Sequence, residues 1–211
     1  MRELVDVVCI DLDDTIYLQE NFDNQIIDLA LERLCSEHSI LFNNKYRLLN
    51  HLKSGRANDR FSRNLFQHIF SNYGLSSELA LRFSNLYKQF AVSSFPLLQP
   101  SSDAICFIKQ ARLRSKTFLV SNGPIAQQHK KIELLGLSCL FDNIVILDGL
   151  ATRKCKPDIG YFMSSIWHSG IAPSPNSLMI GDSCSDELFA RRLGFVYHHP
   201  VVDLGWRLSD Q

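Results

Sequence analysis

Two groups of acidic residues follow short apolar runs and could hold a cation. Asp11 and Asp13 come directly after the first apolar run of the chain, and Asp182 and Asp186 come directly after a later one. Carboxylates crowded at the end of a buried strand are unfavourable unless a cation balances their charge. Open α/β sheets hold their ligands at the carboxyl ends of the strands. We therefore predict a cation site built from both acidic groups.

Two further polar motifs have a similar placement. Ser121, Asn122 and Gly123 lie between an apolar run and a helical pattern. They present a hydroxyl together with backbone N–H groups, which suits an anion. Lys156 precedes Pro157 at the start of a predicted helix, so its ammonium would lie near that helix N-terminus. Each motif alone is weak, but four motifs in order, each at a strand end or a helix start, form a strong signal together.

Five short apolar runs predict the strands of a sheet, because runs without strict alternation are typical of strands buried on both faces. They are residues 5–10, 117–120, 143–147, 177–180 and 195–197. Helical patterns follow the second, third and fourth runs, over about 124–136, 157–170 and 185–193, and Ser101 or Ser102 is the expected N-cap of a helix before the second run. This alternation indicates an α/β fold with a doubly wound, Rossmann-like, mainly parallel five-stranded sheet.

The stretch 18–96 breaks the alternation and reads as about four amphipathic helices without a convincing strand. We therefore predict an α/β core domain of residues 1–17 and 97–211, with an all-helical cap domain over 18–96 inserted after the first strand. The inserted stretch has nine basic and seven acidic residues. Its basic group includes Arg56 and Arg60, which either form a solvated surface or meet an anionic substrate.

Composition disfavours several classes of protein. The chain has 22 Lys and Arg against 22 Asp and Glu, and this balance argues against nucleic acid or a membrane surface as a partner. No apolar run is long enough to span a membrane, and the acidic N-terminal stretch is unlike a signal peptide, so we expect a cytoplasmic protein. The six cysteines are scattered without zinc-site spacing, which favours reduced thiols.

In these motifs the chain resembles the haloacid dehalogenase-like hydrolases, and in particular their magnesium-dependent phosphatases with a helical cap inserted after the first motif. The family pattern is D-x-D-x-T, a Ser or Thr that ends the second strand, a Lys, and G-D-x-x-x-D. The matching residues are Asp11, Asp13, Thr15, Ser121, Lys156, Gly181, Asp182 and Asp186. The cap position and the D-L-D-D-T-I-Y opening are similar to the nucleotidase and sugar-phosphatase branch.

The resemblance implies that the protein hydrolyses a phosphomonoester through an aspartyl-phosphate. Asp11 would attack the phosphorus, and Asp13 would protonate the leaving alkoxide and later take a proton from water. We expect a neighbouring carboxylate and partial burial to raise the pKa of Asp13. Dehalogenases of the same superfamily lack an acid at that position and need no metal. Asp13 therefore favours phosphoryl chemistry.

The resemblance also implies a set of ligands for Mg²⁺ and for the phosphoryl group. Mg²⁺, which prefers oxygen ligands, would be bound by the Asp11 side chain, the Asp13 carbonyl, Asp182 and, through metal-bound water, Asp186. The phosphoryl oxygens would be held by Lys156, Ser121 and the N–H of Asn122, beside Gly123. Thr15 would brace the loop through a side-chain hydrogen bond.

The expected substrate is a small soluble phosphomonoester, such as a nucleoside monophosphate or a sugar phosphate, with Arg56 and Arg60 as contacts from the cap. The protein would act as a monomer or a homodimer. Three alternatives stay open: a phosphomutase or other phosphotransferase, a protein-binding module that keeps the fold without activity, and a serine esterase. The last would use Ser183 of a G-D-S motif as its nucleophile and would need a paired His and acid.

Overall fold

The computed structural model describes residues 6–38, 45–58, 64–93, 98–149, 155–168 and 174–207. The chain divides into two compact units. The core unit comprises residues 1–18 and 98–211, and the helical unit comprises residues 19–97. The predicted domain boundaries lie one residue away from this division.

The core unit is built on one sheet of five parallel strands, in the order β3-β2-β1-β4-β5. The strands are β1 (Val7–Ile10), β2 (Lys116–Asn122), β3 (Asn143–Leu147), β4 (Leu178–Ile180) and β5 (Val196–His198). Every residue of β1 is buried, as expected for the central strand of a sheet covered on both faces. The predicted α/β fold with a five-stranded parallel sheet is confirmed.

The described residues form eight helices, four in each unit. In chain order they are α1 (Gln19–Glu37), α2 (Lys45–Asn58), α3 (Leu65–Asn72), α4 (Ser77–Ser93), α5 (Ser102–Arg112), α6 (Ile125–Leu134), α7 (Gly160–His168) and α8 (Cys184–Leu193). Ser101 caps α5 by accepting a hydrogen bond from the Ala104 amide, and Gly194 ends α8 at a φ of 72°. None of the described helices is both long and apolar enough to cross a membrane.

Helix α7 begins later than predicted. The expected start was Pro157, but the first helical residue is Gly160. The side chain of Asp158 accepts a hydrogen bond from the Gly160 amide at 2.8 Å, which caps the helix at that point. Lys156 therefore lies in the segment between β3 and α7, and its ammonium is positioned by contacts other than the N-terminus of α7.

One face of the sheet packs on α7 and α8 through aromatic side chains. Phe118 of β2 contacts Phe162 of α7 with ring centroids 5.7 Å apart, and Phe162 contacts Phe189 of α8 at 5.2 Å. The burial of large apolar side chains such as these is the main source of stability in a domain core. This packing fixes α7 and α8, the helices that follow the segments carrying Lys156 and Asp182.

The helical unit has its own core, in which aromatic residues of α3 and α4 meet. Phe66 lies 4.9 Å from Phe83 between ring centroids, and Phe70 lies 5.4 Å from the same ring. The apolar faces that the sequence pattern predicts for these helices are therefore used for packing within the unit.

Candidate active site

The loop after β1 holds Asp11 and Asp13 at the carboxyl edge of the sheet. The Asp11 amide donates to the Ile180 carbonyl at 2.9 Å, so the main chain of Asp11 extends the pairing between β1 and β4. The chain then turns tightly: the Ile16 amide donates to the Leu12 carbonyl, and Asp14 adopts a positive φ of 55°. A non-glycine residue in this region is uncommon, and Asp is among those that adopt it most readily.

Three carboxylates meet at this edge. Oxygen atoms of Asp11, Asp182 and Asp186 all lie within 4.8 Å of one another. Asp186 is positioned by a capping box at the start of α8, in which its Oδ2 accepts from the Ser183 amide at 3.1 Å while Ser183 Oγ accepts from the Asp186 amide. Gly181 leaves room for this side chain, because a Cβ at position 181 would lie 2.6 Å from Asp186 Cβ.

Lys156 is buried between two of these carboxylates. Its Nζ lies 2.5 Å from Asp11 Oδ1 and 2.5 Å from Asp186 Oδ1, and it donates to the Val120 carbonyl at 2.9 Å. The segment that carries Lys156 is tied to β2, because the Lys156 amide donates to Asn122 Oδ1 at 2.8 Å. The side chain of Asn122 thus positions Lys156, a role that the sequence motifs did not suggest.

The electrostatics of the triad favour an added cation. Burial raises the pKa of Asp11, an effect that the Lys156 charge opposes and the charges of Asp186 and Asp13 reinforce. Burial, followed by the charges of Asp14 and Asp186, raises the pKa of Asp182 to about 6. Burial alone would lower the pKa of Lys156, but the two adjacent carboxylates raise it above its usual value, so it stays protonated. The ionised triad would carry three negative charges against one ammonium.

The residues present fit a divalent metal ion. The donor atoms of Asp11, Asp182 and Asp186 are all carboxylate oxygens, the ligand type that Mg²⁺ prefers. Their excess of two negative charges over Lys156 matches the charge of such an ion, and binding it would offset the repulsion that raises the pKa of Asp11 and Asp182. The three acids that the sequence assigns to a metal through their side chains are therefore together in the structure.

Asp13 lies in a separate set of contacts. Its Oδ1 accepts from Tyr17 Oη at 2.6 Å and pairs with Lys131 Nζ at 2.9 Å, and its Oδ2 accepts from Gln128 Nε2 at 2.9 Å. Burial would raise the pKa of Asp13, but the Lys131 charge and the three hydrogen bonds outweigh it and hold the pKa below its usual range. The prediction of a raised Asp13 pKa is therefore wrong, because the sequence pattern around Asp13 does not show the Lys131 ammonium beside it.

The polar residues at the end of β2, Ser121 to Gly123, also make hydrogen bonds within the core unit. Ser121 is buried, and its Oγ accepts from Gln128 Nε2 at 2.8 Å. The amide of Gly123 donates to the Leu147 carbonyl at 3.1 Å, which extends the pairing of β2 with β3. The structure therefore brings the Ser121 hydroxyl to the Asp13 side of the site and uses the Gly123 amide in the sheet.

Thr15 and Arg56 lie in different units. Thr15 Oγ1 donates to Asp182 Oδ1 at 3.4 Å, which links the loop after β1 to the acid after β4. Within the helical unit, Arg56 Nε lies 3.3 Å from Asp23 Oδ2, and its guanidinium carbon lies 5.6 Å from the ring centroid of Tyr87. Arg60 lies outside the described residues. The contact of Arg56 and Arg60 with a substrate stays a prediction.

Sequence reasoning missed the polar residues of α6 and the role of Tyr17. Gln128 and Lys131 are three residues apart and therefore share a helix face with the buried Ile132 and Leu135. A glutamine and a lysine on the apolar face of a helix are a recognisable signal of buried polar partners. Tyr17, the last residue of the D-L-D-D-T-I-Y opening, is buried and donates a hydrogen bond to Asp13.

Comparison with known proteins gives a family and a fold. A family model of haloacid dehalogenase-like hydrolases matches residues 5–194, whereas no curated protein matches the sequence. Among solved structures, YfnB from Bacillus subtilis, determined bound to magnesium, has 20% identity and a TM-score of 0.61, covering 92% of this chain and 86% of that chain.

Two further solved structures show how varied the chemistry of this fold is. A HAD phosphatase from Thermococcus onnurineus has 24% identity and a TM-score of 0.56, covering 91% of this chain and 84% of that chain. The L-2-haloacid dehalogenase from Xanthobacter autotrophicus has 18% identity and a TM-score of 0.55, covering 92% of this chain and 76% of that chain. At these identities the likeness concerns the fold, and reaction type must be argued from the residues.

Proposed function

The chain belongs to the haloacid dehalogenase-like hydrolase family, and on that premise we propose that it is a Mg²⁺-dependent phosphatase of small soluble phosphomonoesters. The observation that carries the proposal is the division of the acids into two sets. Asp11 shares Lys156 with Asp186 in a group suited to a cation, whereas Asp13 is held by Lys131 and Gln128. A metal site beside a separately held acid supports phosphoryl transfer over dehalogenation.

In this proposal Asp11 is the nucleophile. Its main chain is fixed in the sheet and its Oδ1 is fixed by Lys156, so the carboxylate is oriented before the substrate binds. An anion that attacks a phosphoryl group must overcome repulsion. Lys156 supplies one positive charge, and Mg²⁺ bound by Asp11, Asp182 and Asp186 would supply the remaining neutralisation of the phosphoryl oxygens.

Asp13 and Ser121 complete the reaction in the proposed mechanism. Asp13 gives a proton to the leaving oxygen as the bond to phosphorus breaks, and it later takes one from the water that hydrolyses the aspartyl-phosphate. The negative charge of a bound phosphoryl group would raise the pKa of Asp13 towards its usual value, which helps it to carry that proton. The Ser121 hydroxyl, buried beside Gln128, would donate to a phosphoryl oxygen.

The proposal is tested by measuring phosphate release from a panel of nucleoside monophosphates, sugar phosphates and p-nitrophenyl phosphate, with Mg²⁺ and with EDTA. Asp11→Asn is the control for contaminating phosphatases. We expect release that needs both Mg²⁺ and Asp11. Turnover that survives chelation would contradict the proposal, and so would halide release from 2-chloropropionate without phosphate release from any ester.

The same preparation distinguishes the two main alternatives. A phosphomutase would convert a sugar phosphate into its isomer with little free phosphate, which phosphorus NMR of the products detects. A protein-binding module without activity would give no turnover of any ester, with or without Mg²⁺. A phosphatase is expected to yield free phosphate as the main product.

Selectivity for the leaving group is assigned, in this proposal, to basic residues of the helical unit. Arg56→Ala is the variant to test, and Arg82→Ala is its matched control because Arg82 pairs with Glu37 on the surface of the same unit. If Arg56 contacts the substrate, Arg56→Ala lowers kcat/KM on the best substrate at least tenfold and Arg82→Ala does not. Equal values for both variants would indicate that Arg56 acts within the helical unit, through contacts such as those with Asp23 and Tyr87, and does not contact the substrate.

A further inference from the structure

Two residues of α6 hold the acid–base residue, although neither belongs to the four motifs. Gln128 has an exposed fraction of 1% and Lys131 of 2%. A buried ammonium is costly unless an opposite charge faces it. Lys131 Nζ lies 2.9 Å from Asp13 Oδ1 and 5.9 Å from the ring centroid of Tyr17, which itself donates to the same oxygen of Asp13.

Gln128 connects Asp13 to the motif at the end of β2. Its Nε2 lies 2.9 Å from Asp13 Oδ2, 2.8 Å from Ser121 Oγ and 2.7 Å from the Asn122 carbonyl. All three of these oxygens accept hydrogen bonds, so the Gln128 amide must direct its nitrogen, which carries two hydrogens, towards them. The opposite orientation would place the amide oxygen against the same acceptors. With the nitrogen directed towards these acceptors, Gln128 Oε1 is buried without a hydrogen-bond partner among the described residues.

The main chain also makes room for Gln128. Gly123 has a φ of 143°, and a Cβ at that position would lie 3.0 Å from Gln128 Nε2 and 3.1 Å from its Cδ. This is tighter than an ordinary contact, so a side chain at 123 would push the amide away from Asp13 and Ser121. Glycine at this position therefore leaves room for the Gln128 amide beside Asp13 and Ser121.

From these contacts we propose that Lys131 and Gln128 are positioning residues for the acid–base step. They fix both oxygens of Asp13, and Gln128 also fixes the distance between Asp13 and the Ser121 hydroxyl. The inference rests on the proposed phosphatase function and adds to it the residues that orient its proton donor. An acid held in this way can reach the leaving oxygen of an alkyl phosphate, which departs poorly without a proton.

The test compares Lys131→Met with Lys130→Met. Lys130 is the adjacent lysine of α6 and pairs with Glu133 at 3.1 Å, so it is the matched control. The kcat/KM of each variant is measured on ethyl phosphate and on p-nitrophenyl phosphate. The parameter kcat/KM is used because it includes the step in which the ester bond breaks. p-Nitrophenolate leaves without protonation, whereas ethoxide needs a proton.

We expect Lys131→Met to lower kcat/KM about 30-fold or more on ethyl phosphate, because the lost orientation of Asp13 outweighs the higher Asp13 pKa that removing the Lys131 charge brings. On p-nitrophenyl phosphate the loss should be less than about 3-fold. Lys130→Met should change neither substrate. An equal loss on both substrates would show a merely structural role and overturn the inference, as would no loss on either. A wild-type protein that turns over no phosphomonoester of the panel above refutes the proposed function, and the inference with it. If only a larger alkyl phosphate of that panel is hydrolysed, that ester replaces ethyl phosphate in the comparison.

Two further variants keep the test decisive if Lys131→Met does not fold. Gln128→Met removes the amide but keeps the length of the side chain, and it should show the same dependence on the leaving group. In an Asp13→Asn background, Gln128→Met should cause no further selective loss on ethyl phosphate, because a positioning residue acts through its partner. A further selective loss in that background would contradict the inference.

Discussion

Removing Asp182 is expected to stabilise the metal-free protein while destroying its response to Mg²⁺. Burial and the charges of Asp14 and Asp186 raise the pKa of Asp182 to about 6, roughly two units above its usual value. Each unit corresponds to about 1.4 kcal/mol, so the shift alone gives about 3 kcal/mol. The side chain is partly solvated, and screening reduces the effect to about 1–2 kcal/mol.

The sign of the effect follows from proton linkage. The folded protein binds the Asp182 proton more tightly than the unfolded chain does, because the folded-state pKa is raised. The contribution of Asp182 to the free energy of unfolding therefore falls as the pH rises from about 4 to about 6, and stays lower above that range. Asp182→Asn does not titrate. Its advantage over the wild type should be about 1–2 kcal/mol at pH 7.5 in EDTA and should vanish below about pH 4.

Mg²⁺ should reverse the order of the two proteins. At 100 times its dissociation constant, a ligand that binds only the folded state adds about 2.7 kcal/mol to the wild type. Asp182→Asn lacks one of the three clustered carboxylates and should gain much less. Urea denaturation followed by circular dichroism, in EDTA and in Mg²⁺ at both pH values, measures four free energies of unfolding for each of the two proteins.

The matched control is Glu187→Gln, which removes an exposed carboxylate from α8, the helix that follows Asp182. Glu187 pairs with Arg191 one turn later, and losing such a pair costs about 0.5 kcal/mol or less. The reasoning is refuted if Asp182→Asn is no more stable than the wild type at pH 7.5 in EDTA, or if Mg²⁺ stabilises both proteins equally.

Three other substitutions test the site. Asp11→Asn should abolish Mg²⁺-dependent phosphate release. Its free energy of unfolding in EDTA should hold or rise, because the substitution removes a buried carboxylate with a raised pKa. A loss of stability on urea denaturation would contradict this prediction. Gly181→Ala should lower kcat at least tenfold and cost about 1–3 kcal/mol, because its Cβ would collide with Asp186. The control Gly136→Ala, at a φ of 66° with no atom within 4 Å, should cost stability without changing kcat. Ser183→Ala should lose about 1 kcal/mol with the N-cap of α8 and keep most of its phosphatase activity in a steady-state assay, whereas complete loss of activity would favour the serine-esterase alternative.

Elements with strong local signals could be predicted from the sequence. The strand at 143–147 and the end of α8 at Gly194 agree with the structure to the residue, because a buried apolar run and a left-handed glycine are local features. The start of α7 could not be placed, since the cap supplied by the Asp158 side chain competed with the proline signal. The Asp11, Lys156 and Asp186 cluster follows from strand ends that share one edge of a parallel sheet.

The environment of Asp13 was beyond such reasoning. Its pKa depends on Lys131, which is 118 residues away in sequence and reaches Asp13 only because α6 packs beside the loop after β1. A motif names the residues at a strand end but not the side chains that a neighbouring helix directs towards them. The same limit applies to Asn122, whose side chain holds the amide of Lys156.

The central position of β1 has a consequence for how the chain is made. Its neighbours β2 and β4 begin at residues 116 and 178, whereas β1 ends at residue 10. At ribosomal rates of about 5 to 20 residues per second, β1 waits about 5 to 20 s for β2 and about 8 to 35 s for β4. The helical unit is one uninterrupted segment and is fully synthesised during the first interval. The strand that precedes Asp11 therefore lacks both of its sheet neighbours throughout translation of the insert, and a chaperone that binds apolar segments would protect it during that interval.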